Sequence, residues 1–359
     1  MTYEKPIIVG VPSITDTDFQ DVPRLMQRLG GNSGNMLFTE SILRNVPGSS
    51  CYHGQPFSDQ ADSIIIAAAN WMNPGDDFGA LADTIQKTDL PVTIVGIGAQ
   101  SGLDKEIPRV EKGTLRLLKV VAERSRSIST RGTFSCEVLE YYGIKNSTPT
   151  GCPSLLMCGR TGPALRVDGM SRGVVLHGTR HANNRAGSFQ SYIYQQAYKA
   201  NTEILLQSES TDLLLARGRT ADVNDEAAHI AGVAYRSSGF NNLVKFLREK
   251  AAFFHNLDEW LNFAESKSFF LGTRIHGTVA ALIAGTPALL IAHDSRTVEL
   301  AEIMGVPHIL SGSVDVRKDL ELVELYEMAS THTFERYAAY MSNFKAFLDN
   351  EGIPFSAFH

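Results

Sequence analysis

Residues 268–307 constrain the chain more than any other stretch: SFFLGTRIHG, then TVAALIAGTPALLIAHDSRTVELAEIMGVP. The run predicts a short buried strand, a turn carrying Arg274 and His276, and an Ala-rich helix. A break at Gly285, Thr286 and Pro287 leads to a second apolar strand, a polar loop with His293, Asp294 and Arg296, and another helix. Two arginines and two histidines therefore sit where parallel strands end and helices begin, the usual ligand crevice of an open α/β sheet. The first N–H groups of a helix starting near His276 or Gly277 would favour an anion there. A site of this kind suits a small, strongly negative substrate.

The same alternation of short apolar runs and helical patterns extends through the chain. Residues 6–11, 63–68, 92–96 and 127–130 predict buried strands in the first half, each followed by a loop rich in Gly, Asn, Ser or Pro. Helical patterns cover 36–43, 109–124 and 134–142, the last stopped by Gly143. After a polar, Gly-rich passage at 158–172 the strands resume at 173–176, 202–207, 268–271, 288–291 and 308–310. The expected fold class is α/β, with two Rossmann-like, doubly wound domains facing each other across a cleft. The domains are expected at residues 1–165 and 166–332, with a terminal helical segment in 333–359 that packs back on the first. At 359 residues the chain has length for two sizeable cores.

Composition excludes more than it identifies. The 33 basic and 39 acidic residues give a net charge of −6, without a basic run, so nucleic acid is a poor partner. Residues 1–12 lack the pattern of a signal peptide, and the apolar stretch 279–292 is cut by Gly285 and Pro287 and too short for a bilayer. Cys51, Cys136, Cys152 and Cys158 form no CxxC pair and point to neither a disulfide framework nor zinc. The expectation is a cytoplasmic enzyme without metal or resident cofactor.

Several loops offer candidate site residues, each with a plainer structural reading beside it. Residues 29–35, LGGNSGN, open a helix; Asn32, Ser33 and Gly34 would cradle an anion or a sugar there, or make an ordinary turn. The spacing is neither that of a P-loop nor of a dinucleotide fingerprint. Residues 96–102, GIGAQSG, leave a buried strand, so Gln100 and Ser101 would face the cleft as sugar-binding groups or simply complete a turn. Arg131 ends a strand directly before a helix, where its planar fork suits a carboxylate or phosphate, or a surface salt bridge. Arg274 and His276, two apart, would share a face of an extended segment, and the histidine can donate and accept protons near neutral pH. Arg296 would reach the same anion from the next loop, with His293 beside it. His177, Arg180, His181 and Arg185 form a basic loop that would edge the cleft or lie in solvent.

In this order the motifs resemble the polysaccharide pyruvyl transferase family. The resemblance rests on the Gly-Asn-x-Gly loop at 31–34, the Gly-Ile-Gly-Ala-Gln turn at 96–100, and Arg131 with Ser135, Leu139 and Gly143 after it. It continues through Thr150-Gly151-Cys152-Pro153-Ser154 and, most specifically, through Arg274-Ile275-His276 leading to Gly285-x-Pro287. It spans about residues 30–307, with nothing matched at 212–261. It implies two Rossmann-like domains of the GT-B architecture and transfer of a pyruvyl group from phosphoenolpyruvate, a co-substrate, to two hydroxyls of a sugar as a cyclic ketal. It assigns Arg131, Arg274 and Arg296 to the donor's anionic groups and His276 to proton transfer. The acceptor it implies is a saccharide or lipid-linked saccharide of an exopolysaccharide or cell-envelope precursor, with work at the inner membrane face left open. The chain departs from the family at Gly132, where an acidic residue is frequent, at Cys152 and Asn35, where aspartates are, and at Arg296, where lysine is.

Phosphoenolpyruvate carries a carboxylate and a phosphate, so about three cationic groups would offset its charge. Two other readings remain open from sequence: a GT-B glycosyltransferase using a nucleotide sugar, and a sugar-binding homologue with altered catalysis.

Overall fold

The computed structural model describes residues 3–15, 21–54, 56–57, 61–102, 104–179 and 189–358. The apolar runs form parallel strands: β1 (Pro6–Val9), β2 (Ser50–Cys51), β3 (Ser63–Ala67), β4 (Val92–Val95), β5 (Ile128–Thr130) and β6 (Ser147–Pro149) in the first half. The second half holds β7 (Val174–His177), β8 (Glu203–Leu205), β9 (Ala251–Ala252), β10 (Phe269–Gly272), β11 (Ala288–Ala292) and β12 (His308–Leu310). Every residue of β3 and β11 is buried, because helices cover both faces of a parallel sheet.

The first sheet runs β2-β1-β3-β4, and a parallel bridge from Ile97 to Thr130 joins its edge to the β5-β6 pair. The second runs β12-β11-β10-β7-β8-β9. Counted from its own first strand, that is the doubly wound order 3-2-1-4-5-6 read from the opposite edge. Both sheets therefore have a switch point, between β1 and β3 and between β7 and β10, where loops diverge and leave a crevice. The GT-B-like architecture expected from the sequence is thus built from two parallel sheets whose crevices open on one cleft.

The helices follow from local chemistry. Lys112–Arg124 buries Leu117, Leu118 and Val121 on one face and ends with a basic residue, favourable at a helix C-terminus. Ser295–Met304 begins in a reciprocal cap, the Asp294 carboxylate accepting the Thr297 N–H at 2.7 Å, and ends at Gly305 in the left-handed region. The stretch 212–261, unmatched in sequence, holds helices Asp225–Tyr235 and Phe240–Lys250 and most of Ser210–Ala216 and Leu257–Glu265.

The last helix, Tyr337–Glu351, lies against the first half. The Glu351 carboxylate accepts the N–H groups of Arg126 (3.2 Å) and Ser127 (2.6 Å), and the Tyr340 hydroxyl donates to the Cys152 carbonyl at 2.6 Å. One apolar core runs through both halves, joining Ile65 and Val95 to Leu271, Leu290 and Phe344; a second fills the other face of the first sheet around Ile64, Ile94 and Leu118. No helix among the described residues is long and apolar enough to cross a membrane.

Candidate active site

The two crevices meet in a cleft of about 500 Å³. Its walls come from the carboxyl ends of strands in both sheets: Gly10 and Val11 after β1, Asn70 and Trp71 after β3, Thr179 after β7, Thr273 and Arg274 after β10. Arg131, Arg274, Arg296 and His276 all line it, with Asn32 and Gln100.

Arg131 leaves the end of β5 and is 3% exposed. Its Nε donates to the Gly96 carbonyl at 2.9 Å, and its guanidinium lies 5.8 Å from the centre of the Phe38 ring. A side chain at residue 98 would strike its Cδ at 2.7 Å, so the Gly96–Gly98 turn is the channel through which this arginine reaches the cleft. Its Nη2 is buried without a hydrogen bond, and no carboxylate among the described residues pairs with it. Burial, and Arg296 nearby, pull its pKa down to about 10.

Arg274 is treated differently. The helix starts at Ile275, so Arg274 is its N-cap in extended conformation and His276 its second residue; the pair is not one extended segment, though both side chains line the cleft. Arg274 donates to the Gly178 carbonyl (2.9 Å), to the Ser208 hydroxyl, and to Glu209 at 2.7 Å. Burial alone would raise the Glu209 pKa, but Arg274 and the N–H groups of Gln207 and Ser208 outweigh it and hold the carboxylate at about 2. Nη1 of Arg274 has no hydrogen bond among the described residues and is its remaining donor. Arg296 pairs with Asp294 at 3.0 Å, leaving its buried Nε unpartnered.

His276 is 6% exposed, its ring 5.4 Å from Phe38 and its Nε2 3.6 Å from Cys152 Sγ. Burial, then Arg131, Arg296 and Arg274, drive its pKa well below the ordinary histidine value, so the ring is neutral in the free protein. Gly34 caps the helix Asn35–Asn45 and lies close against His276; a Cβ there would lie 2.9 Å from both His276 Nδ1 and Gln207 Oε1.

The remaining candidates divide. Asn32 accepts the Gly34 N–H at 2.9 Å, while Ser33 is buried and joins the two halves by donating its N–H to the Gln207 carbonyl at 2.9 Å. Gln100 accepts from Asn70 at 2.9 Å; Ser101 meets the other half through its carbonyl, which accepts from Ser295 at 3.0 Å. His177 is fully buried beneath Gly272 and Gly277 and accepts the Arg274 N–H at 3.3 Å; burial and Arg274 push its pKa down to about 3. His293 lies outside the cleft lining with Nδ1 buried and unpartnered. Arg180, His181 and Arg185 lie outside the described residues.

The structure adds residues that sequence reading missed. Gln207 has both amide atoms buried without partners and lines the cleft, and Glu209 anchors Arg274. Both follow β8, and only their place at a parallel strand's carboxyl end could have marked them. On the opposite wall Trp71 stacks on Phe78 with ring centres 3.9 Å apart, beside Asn70, Asn73 and Asp76. Among the described residues no group of three or more His, Cys, Asp or Glu side chains is placed to hold a metal.

Residues 2–295 match the sequence profile described as polysaccharide pyruvyl transferase, and the chain belongs to that family of transferases. Comparison with curated proteins gave no match. Among solved structures, a UDP-N-acetylglucosamine 2-epimerase from Rickettsia bellii is 12% identical over 98% of this chain and 96% of its own, with TM-score 0.44. The S. aureus protein MnaA with UDP is 11% identical over 96% and 97%, with TM-score 0.42. Both likenesses are distant.

Proposed function

We propose that this protein transfers the pyruvyl group of phosphoenolpyruvate to two hydroxyls of a saccharide, forming a cyclic ketal and releasing phosphate. The observation that carries the reading is Arg131: a buried cation without a carboxylate, its Nη2 unsatisfied, beside a neutral histidine. A buried charge without a partner is costly, and an anionic ligand supplies the partner. Arg131 Nη2, Arg274 Nη1 and Arg296 Nε are among the donors left for a carboxylate and a phosphate.

In the proposed reaction His276 gives a proton to the methylene carbon, leaving an oxocarbenium-like centre at C2. A sugar hydroxyl adds to C2 as its proton passes to His276. The C2–O bond to phosphate then breaks, and as the second hydroxyl closes the ring its proton passes to the departing phosphate, which is released as hydrogen phosphate. The arginines hold the donor's charge throughout. The Trp71 face, with Asn70, Asn73, Asp76 and Gln100 around it, offers the apolar surface and hydroxyl partners a saccharide acceptor needs.

A nucleotide sugar fits less well. Glu209 stands near the end of the second strand of its sheet, where a ribose-binding acid is expected, but Arg274, Tyr194 and two backbone N–H groups already occupy its oxygens. The test is thermal stability with phosphoenolpyruvate against UDP-sugars, followed by phosphate release with a saccharide acceptor. Phosphoenolpyruvate at about a hundred times its Kd should stabilise by about 2.7 kcal/mol. Stabilisation by a UDP-sugar with no response to phosphoenolpyruvate would overturn the reading.

A further inference from the structure

His276 can serve the substrate through one nitrogen only, and its surroundings decide which. Nε2 faces Cys152 Sγ at 3.6 Å, while Nδ1 has no hydrogen bond among the described residues. Cys152 is 1% exposed and is fixed from two sides. The Ser154 hydroxyl donates to Sγ at 3.2 Å, and Tyr340 holds the Cys152 carbonyl at 2.6 Å. With Ser154 donating, the sulfur's own hydrogen is directed at Nε2, its remaining hydrogen-bond neighbour among the described residues.

We infer that Cys152 is the positioning residue of His276: its S–H donates to Nε2, so the neutral ring carries its proton on Nδ1 and presents it to the substrate. The assignment of a substrate proton to Nδ1 rests on the proposed pyruvyl transfer; the tautomer itself does not. A neutral imidazole that gave up its Nδ1 proton alone would become an imidazolate. Here the thiol proton moves to Nε2 as the Nδ1 proton moves to the methylene carbon of the donor. The products are a neutral ring protonated on Nε2, a thiolate at Cys152 and the oxocarbenium-like centre. When the sugar hydroxyl adds, its proton goes to Nδ1 and the Nε2 proton returns to sulfur, restoring the starting state. A thiolate is tolerated in this position because its charge and that of Arg131 favour each other. A thiol suits the relay better than an ionised carboxylate, which has no proton to give.

The experiment has two arms, read separately. In the first, the protein is labelled with ¹⁵N-histidine and long-range ¹H–¹⁵N spectra are recorded, His276 being assigned by its loss in His276→Asn. The inference expects the Nδ1–H tautomer in the wild type and a mixture in Cys152→Ala. A wild-type ring protonated on Nε2, alone or as an imidazolium beside a thiolate, would overturn it whatever the donor proves to be. In the second arm, kcat and KM for pyruvyl transfer are measured. Cys152→Ala should lose roughly tenfold or more in kcat, short of the about 10²–10⁴-fold supplied by a proton-transfer group itself, with the phosphoenolpyruvate KM within about twofold. An unchanged kcat in Cys152→Ala would refute the relay. If Cys152→Ala does not fold, the near-isosteric Cys152→Ser carries both arms. An absence of pyruvyl transfer in the wild type would overturn the donor assignment while the first arm still decides the tautomer.

Discussion

Replacing Arg131 with methionine should make the free protein more stable and less able to bind its donor. The guanidinium is charged in both folded and unfolded states at pH 7, and burial has lowered its folded pKa from the ordinary arginine value to about 10. A base whose pKa is lowered on folding destabilises the native state fully below the folded value, and the penalty fades only as pH rises through 10 towards the ordinary value. That shift is worth about 3 kcal/mol. Methionine would relieve it while forfeiting the bond to the Gly96 carbonyl, about 1 kcal/mol, and the contact with Phe38, about 0.5–1 kcal/mol. The net gain is on the order of 1 kcal/mol, a few degrees in Tm. Loss of a charge-assisted contact to the donor costs about 1.5–3 kcal/mol, roughly 10- to 150-fold in affinity. At a phosphoenolpyruvate concentration that stabilises the wild type by about 2.7 kcal/mol, a variant weakened a hundredfold gains only about 0.4 kcal/mol. Differential scanning fluorimetry with and without phosphoenolpyruvate, backed by calorimetric titration, reads both effects. A variant that is markedly less stable when free, or that keeps the full donor-induced shift, would show that Arg131 is structural.

Glu209→Gln should destabilise by about 3–5 kcal/mol, because it leaves Arg274 buried without its counter-charge, and urea unfolding at pH 7 measures the loss. With its pKa at about 2, the Glu209 contribution is complete above pH 5 and disappears only as pH falls through that value, so it adds no pH dependence nearer neutrality. The histidines act instead: His177, His276 and His293 all have folded pKa values depressed below the ordinary one. Their contribution is complete above about pH 6.5 and is lost as pH falls towards the depressed values, at about 1.4 kcal/mol per pH unit for each ring. Unfolding free energies at pH 7.5, 6 and 5 should fall accordingly, and His177→Gln should flatten the slope; a level profile would mean the rings are not held neutral. Gly132→Ala should cost about 1–3 kcal/mol, since a methyl group there overlaps the Glu299 side chain, and Glu299→Ala should recover most of it in the double variant.

Strands such as β3, SIIIA, and β11, ALLIA, were legible because burial on both faces leaves an unbroken apolar run. The strands β2, β6 and β9 were not read, being two or three residues long without an apolar run; all three lie at sheet edges. Arg131, Arg274, His276 and Arg296 could be found because each follows a recognisable strand, and the carboxyl end of a parallel strand faces the crevice wherever that strand sits. What the sequence could not convey was partnership. Arg274 meets Glu209 across 65 positions and Cys152 meets His276 across 124, and nothing local to either member announces the other. The reading of 274–276 as one extended segment failed for a related reason. The helix claims its first turn from Ile275, so two residues that seemed to share a face take up separate tasks.

The departures from the family pattern are coherent as a redistribution of charge. At Gly132, where an acidic residue is frequent in the family, the volume of a side chain is filled by Glu299 from the opposite half, whose carboxylate accepts the N–H (3.2 Å) and hydroxyl (3.1 Å) of Ser135. The acid is moved rather than lost, and it is engaged with Ser135 rather than with Arg131. At Cys152, where an aspartate is frequent, a thiol meets His276. Two opposite charges 4 Å apart in surroundings of effective dielectric constant about 20 attract by about 4 kcal/mol. An ionised carboxylate at 152 would spend that attraction on Arg131 and on a protonated His276 before any donor arrived. With a thiol in its place, Glu209 answers Arg274 and Asp294 answers Arg296, while Arg131 has no carboxylate partner among the described residues and His276 stays neutral.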